Sequence, residues 1–294
     1  MRKREPSMKI LVTHNAEIRN NGTGTYCMRA LKQMESEGIL EKATHFTPRG
    51  DAPAGYDWSF ACDDGRDDLD WLPPRPWAYY AIDTHLGYGY RLWKAKQADR
   101  VFVAQQDAVA SFKRDGVKHV EWLPLACQPD AHPCYSEFLK RNVNPDELTQ
   151  RYDWAFVGFI NGVYGDGQNN RLEYLDALQK AVPNAWITTG VFFEDMAIRY
   201  IRARLGFNLS IKRDLNMRVF EVLSTGTPLF TNRDVEGIDS LFTEGLDYIG
   251  FKGEKEMVDV ARAALADEKG LKAIAEHGLK KVRKFHTYRH RMNE

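Results

Sequence analysis

Three stretches of this sequence gather residue types that do chemistry. The richest is FNLSIKRDLNMRVFEVLSTGTPLFTNR, residues 207–233. Within it Asp214, Arg218 and Glu221 recur at steps of four and three, the spacing that puts side chains on one face of a helix. Val219, Phe220, Val222 and Leu223 fill the other face. On the polar face a guanidinium can fork onto a diphosphate, and a carboxylate one turn further can accept from ribose hydroxyls. Lys212 and Arg213 stand just before the helix, near its positive end. Thr225-Gly226-Thr227-Pro228 reads as a tight turn into the next strand. An amphipathic helix with a surface ion pair would account for the same spacing without a ligand.

The second stretch is Asp83-Thr84-His85 at a strand end, followed by Gly87 and Gly89. A histidine there can hydrogen-bond a sugar hydroxyl or move a proton, with Asp83 orienting it. The alternative is a helix N-cap by Asp83 or Thr84 beside a bystander histidine. The third is Gly22-Thr23-Gly24-Thr25, where glycines let backbone N–H groups approach a ligand at a helix start. It is neither G-x-G-x-x-G nor a phosphate-binding G-x-x-x-x-G-K-[ST] loop. Asp63, Asp64, Asp67, Asp68 and Asp70 crowd one segment. Hard cations need a preorganised oxygen cage, so the expectation is a solvated loop and no metal site.

These stretches must be placed by regular elements. MKILVTH (8–14) reads as a buried parallel strand, Asn20–Thr25 as a glycine turn and Tyr26–Glu37 as a helix. Strands are expected at Trp58–Cys62, Trp77–Asp83, Arg100–Ala104 and His119–Leu123, with helices at Tyr90–Ala98 and Gln106–Asp115. Gln128–Asp153, polar and punctuated by Pro129, Pro133 and Pro145, reads as a linker. The alternation then restarts with Tyr152–Phe159, a helix at Arg171–Val182 and a strand at Trp186–Thr189. Phe192–Leu205 reads as mostly helical, Phe207–Ser210 as a strand, and Asn216–Ser224 as the helix of the rich segment. Pro228–Thr231 and Tyr248–Phe251 read as strands, with helices at Lys255–Asp267 and Gly270–Phe285.

The fold class is therefore α/β, with two Rossmann-like domains facing a cleft lined by strand-end loops. Expected bounds are 1–135, completed by a C-terminal helix over 275–294, and 150–274. At 294 residues, each domain is long enough to bury its own core. Lys and Arg total 41 and Asp and Glu total 41, which argues against a broad cationic surface built for nucleic acid. No apolar run approaches the ~20 residues of a membrane span, and MRKREPS at the start lacks an apolar signal core. Cys27, Cys62, Cys127 and Cys134 form no C-x-x-C pair, as expected of reduced thiols in a cytoplasmic protein.

Four stretches carry a family resemblance: Asp83-Thr84-His85, ADRVFVAQ at 98–105, WLPLACQPDAHP at 122–133, and NMRVFEVLSTGTPLFTN at 216–232. The last resembles the donor-binding segment of GT-B glycosyltransferases. Together they are similar to the CgeB-like (spore maturation protein B-like) family, with HTYRHR at 286–291 resembling its terminal helix. The resemblance implies a glycosyltransferase taking a nucleotide diphosphate sugar as co-substrate, with no other cofactor and no metal. The acceptor, on the first domain's side, is left open among glycan, protein, small molecule and nucleic acid. It implies that Glu221 binds the donor ribose, and that Arg218 and Lys212 meet the diphosphate. Arg213, Asp214 and Asn216 flank that site, while Gly158, Phe159 and Asn161 border the nucleotide. Gly22, Thr23, Gly24 and Thr25 would approach phosphate or acceptor, and His85, with Asp83, would act near the transferred sugar. Retention of anomeric configuration is the expected course. Many retaining members carry two glutamates eight positions apart, however, and eight before Glu221 stands Arg213, with Asp214 beside it.

Overall fold

The apolar run near the N-terminus is strand β1 (Lys9–Thr13), in which Leu11 and Val12 are wholly buried. It is followed by α1 (Thr23–Ser36), β2 (Lys42–Phe46), β3 (Trp58–Cys62), β4 (Trp77–Ala81), α2 (Tyr88–Ala95), β5 (Arg100–Val103), α3 (Ala108–Arg114) and β6 (Val120–Trp122). In this computed structural model the described residues are 8–17, 20–63, 71–160 and 171–294. Among them the six strands form one sheet in the order β2-β1-β3-β4-β5-β6. Every pairing is parallel. Such a sheet is covered on both faces, which explains why β4, WAYYA, is buried at every position. Trp77, Tyr79, Val101, Val103 and Phe112 form its larger core, and α1 lays Leu31 and Met34 on Val12 and Ala43.

The rest of the chain runs α4 (Tyr135–Lys140), α5 (Pro145–Leu148), β7 (Tyr152–Val157), α6 (Arg171–Ala181), β8 (Ala185–Thr188), α7 (Phe193–Ile201) and β9 (Ala203–Asn208). Then come α8 (Met217–Thr225), β10 (Leu229–Asn232), α9 (Ile238–Leu241), β11 (Ile249–Phe251), α10 (Gly253–Ala266), α11 (Glu268–Phe285) and α12 (Tyr288–Arg291). The second sheet is also parallel, in the order β11-β10-β9-β7-β8. Phe207 on its central strand is wholly buried, with its ring 5.8 Å from Trp154, 5.9 Å from Phe230 and 5.8 Å from Phe251. No described helix is long and apolar enough to cross a membrane.

Two compact units result: Met1–Leu125 with Tyr288–Glu294, and Ala126–Thr287. These bounds differ from 1–135, 150–274 and 275–294. The segment expected as a linker folds into the second unit, where Phe138 of α4 and Leu148 of α5 pack on Ala197 and Ile201 of α7. Its prolines punctuate without unfolding: Pro145 occupies the first turn of α5, where a missing N–H is harmless. The terminal helix also divides. α11 stays with the second unit, Leu271 in its core and Arg283 paired with Glu137 at 2.7 Å. Only α12 and the residues after it join the first unit, where Arg291 donates to the carbonyl oxygens of Pro124 (2.7 Å) and Leu125 (3.3 Å).

Three further differences have physical causes. β2, KATHF, is an edge strand too polar to stand out in the sequence. The helix expected to run to Leu205 stops at Ile201, because the segment from Ala203 is claimed by pairing with β7 and β10. α1 starts at Thr23, so Thr23 and Gly24 are helical and Gly22 is the N-cap.

Candidate functional site

The last residues of three neighbouring strands in the second unit supply a polar cluster. Asn208 ends β9, and its amide donates to Thr231 Oγ1 on β10 (2.9 Å) and to Ser210 Oγ (3.1 Å). Asn232 ends β10 and accepts from the Ser210 N–H at 2.8 Å. Arg218, in the first turn of α8, reaches this cluster. Its Nε donates to Val157 O at the end of β7 (2.7 Å) and its Nη1 to Asn208 Oδ1 (2.9 Å). The guanidinium carbon stands 4.8 Å from the centre of the Phe156 ring. Nη2 donates to no described residue. A cation held on two sides with its third nitrogen unengaged is preorganised to take an anion's oxygen.

Gly158 belongs to the same arrangement. A Cβ built there would lie 2.0 Å from Arg218 Nη2, so any side chain would drive the guanidinium away. Phe159 is 52% exposed beyond it, and Asn161 lies outside the described residues. Arg171, which spacing does not reveal, is buried and ties Phe159 O (2.6 Å) to Leu209 O (2.9 Å). The N-cap side chain makes no capping bond on α8 and the first turn carries no acid, so the helix's positive end suits an anion.

Glu221 lies one helical turn beyond Arg218, only 8% exposed. Its pKa is pushed up to about 7, mainly by burial, with the Arg218 charge working the other way. Arg218 and Glu221 do not close on one another as a surface ion pair. The neighbour of Glu221 is His132, wholly buried, whose Nε2 is 3.4 Å from Oε1. Oε2 accepts from no described residue. A buried carboxylate this poorly satisfied costs free energy unless something else supplies donors.

The remaining residues of the rich segment lie before α8. Lys212 and Arg213 both adopt left-handed backbone, φ 51° and 62°, a strain of roughly 1–3 kcal/mol each for non-glycine residues. The loop is held by the Glu236 N–H on Arg213 O (2.8 Å) and the Asp214 N–H on Ile211 O (3.0 Å). Lys212 is exposed; Arg213 is exposed too, and its guanidinium is committed to Glu236 and to Asp234 O. Asp214 thus stands outside the helix whose face it was expected to share. Asn216 is the N-cap, but its amide donates to Ser210 Oγ (3.0 Å) instead of capping its own helix.

The first unit places its candidates at the carboxyl ends of β1 and β4. Gly24 packs so closely on His14 that a Cβ would lie 2.5 Å from the imidazole. His14 itself has a pKa lowered to about 4, by burial first and by neighbouring His45 second, so it stays neutral. Asp83 is left-handed (φ 53°), Thr84 is buried, and His85 is half-buried. The Thr84 N–H and hydroxyl both donate to Gln105 Oε1, at 3.1 and 2.9 Å. Neither Asp83 nor Thr84 is a helix cap, because α2 begins only after Gly87. Asp63 corrects the expectation of a solvated loop: it is buried and paired with Arg91, and it also accepts from the Ile82 N–H. Asp64, Asp67, Asp68 and Asp70 lie outside the described residues.

Residues 162–294 match the family described as "Glycosyl transferase-like". No curated protein matches the sequence. Among solved structures, Anabaena Alr3699/HepE, determined in complex with UDP and glucose, is similar with a TM-score of 0.66 at 14% identity, covering 97% of each chain. Sucrose-phosphate synthase from Thermosynechococcus elongatus is similar with a TM-score of 0.60 at 10% identity, covering 97% of this chain and 96% of its own. WaaG, a glycosyltransferase involved in lipopolysaccharide biosynthesis, is similar with a TM-score of 0.59 at 12% identity, covering 97% of each chain. The architecture of two parallel α/β sheets is that of the GT-B glycosyltransferases.

Proposed function

We propose that this protein is a glycosyltransferase that moves a sugar from a nucleotide diphosphate sugar to an acceptor hydroxyl. The observation that carries the reading is the pair of charged groups on α8 left incomplete among the described residues: Arg218, locked with Nη2 donating to none of them, and Glu221, buried with Oε2 accepting from none of them. A diphosphate would complete the first and ribose hydroxyls the second. The match over 162–294 covers this segment, and a structure of the same fold holds UDP-glucose. The CgeB-like resemblance points the same way.

In the reaction the bond from the anomeric carbon to the diphosphate oxygen breaks, and the departing diphosphate gains negative charge. Arg218 and the positive end of α8 stabilise that charge more as it develops than before, which is what lowers the barrier. Glu221 holds the ribose so that the diphosphate meets them. Lys212, in an exposed strained loop, adds cationic charge beside the helix start, while Asn216, Asp214 and Arg213 shape that loop. Gly158, Phe159 and Asn161 border the nucleotide. The first unit takes the acceptor with Gly22, Thr23 and Gly24, and His85, oriented by Asp83, handles the acceptor's proton. Transfer is metal-independent and retaining, in the cytoplasm. The glutamate absent eight positions before Glu221 favours one rival: a nucleotide-sugar or glycan binding protein of the same fold that does not transfer.

The test is a melting screen against UDP, GDP, ADP and dTDP sugars, followed by an assay for released nucleoside diphosphate. A donor at 100 times its Kd stabilises by ~2.7 kcal/mol. Release that is lost in E221A, is unaffected by chelator, and leaves an α-configured product from an α-configured donor supports the whole reading. Binding without release or transfer would favour the rival, and no binding at all would contradict both.

A further inference from the structure

The contact between His132 and Glu221 joins two segments far apart in the chain. The imidazole is wholly buried, and its backbone is fixed from several sides. The His132 N–H donates to Gln128 O at 2.9 Å, while His132 O accepts from Ser224 Oγ of α8 (2.8 Å) and from Arg283 Nη2 of α11 (2.9 Å). Arg283 is in turn paired with Glu137 of α4. α8 and α11 therefore fix the backbone that carries the ring beside one oxygen of Glu221, with α4 bracing Arg283. Among the described residues, the charged and titratable groups facing Glu221 are His132 itself, Arg218 on the same helix, and the buried phenol of Tyr200 on α7.

We infer that His132 is a positioning residue: its Nε2–H engages Oε1 of Glu221 and leaves Oε2 for a ribose hydroxyl. The inference rests on the proposed reading of Glu221 as the ribose acceptor. A neutral imidazole with hydrogen on Nε2 suffices for this contact. By donating to the carboxylate it favours the ionised form. The burial that raises the Glu221 pKa to about 7 leaves roughly half of it ionised at neutral pH, so loss of this donor should tell most there. A charged acceptor binds hydroxyl donors more strongly than a protonated one.

Two variants test this. H132F removes the donor while keeping a flat ring of similar size, and H132Q restores an N–H. UDP binding is measured by calorimetry from pH 6 to 9. H132F is expected to weaken UDP about tenfold at pH 7, the scale of one hydrogen bond to a charged group. The deficit should shrink towards pH 9 as Glu221 ionises, and H132Q should recover most of it. A deficit equal at all pH values and not recovered by H132Q would reduce His132 to packing and overturn the inference. The 13C carboxyl resonance of Glu221, assigned through E221Q, gives a readout that needs no nucleotide. Its midpoint should rise by about one unit in H132F and return in H132Q; an unmoved midpoint overturns the inference even if H132F binds poorly. If H132F does not fold, the His132 ring resonances of the wild-type protein compared with E221Q decide: an Nε2–H signal unchanged by E221Q overturns it. If the wild-type protein binds no UDP, the ribose reading fails for uridine nucleotides, while the carboxyl titration still decides whether His132 governs Glu221.

Discussion

In the first unit the buried acid, Asp63, is closed on buried Arg91 and on the Ile82 N–H. In the second unit Asp247 is likewise closed, on Lys281, His277 and the Thr243 N–H, but the other buried acid, Glu221, touches one imidazole at 3.4 Å, and its second oxygen accepts from no described residue. Asp63 and Glu221 are both carboxylates removed from water beside a parallel sheet. One is balanced within the protein, and the other is raised in pKa to about 7 by its surroundings. The first arrangement is what a fold needs for stability, and the second is the one the proposed reading completes with ribose hydroxyls.

The contrast breaks most visibly at Asp63. D63A leaves Arg91 buried without its partner and should lower stability by about 3–5 kcal/mol in urea denaturation. A loss below about 1 kcal/mol would mean the pair is not structural. R218A comes next: kcat/KM should fall roughly 10²-fold or more, an effect of ~3 kcal/mol. Unchanged turnover would remove Arg218 from the mechanism.

E221Q should act in the opposite sense to D63A. An acid whose pKa is raised on folding favours its protonated form in the native state. Its contribution to stability is full below the unfolded value near 4.5 and is lost as pH rises through about 7. The wild-type protein should therefore gain up to about 3 kcal/mol from E221Q at pH 8 and almost nothing below pH 4.5. A pH-independent difference would contradict the burial argument. The smallest effect is at Gly158. G158A places a methyl 2.0 Å from Arg218 Nη2 and should lower kcat/KM about tenfold, with little added loss in R218A because the two share one cause.

The sequence makes the alternating architecture and the rich segment on α8 legible, because buried strands and an amphipathic helix each impose a period. Arg218 and Glu221 could be singled out from spacing and residue type. What spacing hides is which face is buried: Glu221, expected on a polar face, is enclosed by side chains from other elements. His132 stood in a recognisable stretch, WLPLACQPDAHP, but its partner is far along the chain and only folding brings them together. Arg171 and Asn208 were missed for the same reason, since each acts by bonding the end of a distant strand. The Pro-rich stretch misled because prolines mark helix starts as readily as loops, and Asp63 because a run of acids looks solvated until one of them meets a buried arginine.

One comparison bears most directly on the proposal that Glu221 binds the donor ribose. Calorimetric titration of wild-type protein and E221Q with UDP and with 2′,3′-dideoxy-UDP at pH 8 isolates the two hydroxyls. The wild-type protein is expected to bind UDP at least tenfold more tightly than the dideoxy analogue, and E221Q to bind the two nearly alike. Equal affinity of the wild-type protein for both nucleotides would contradict it.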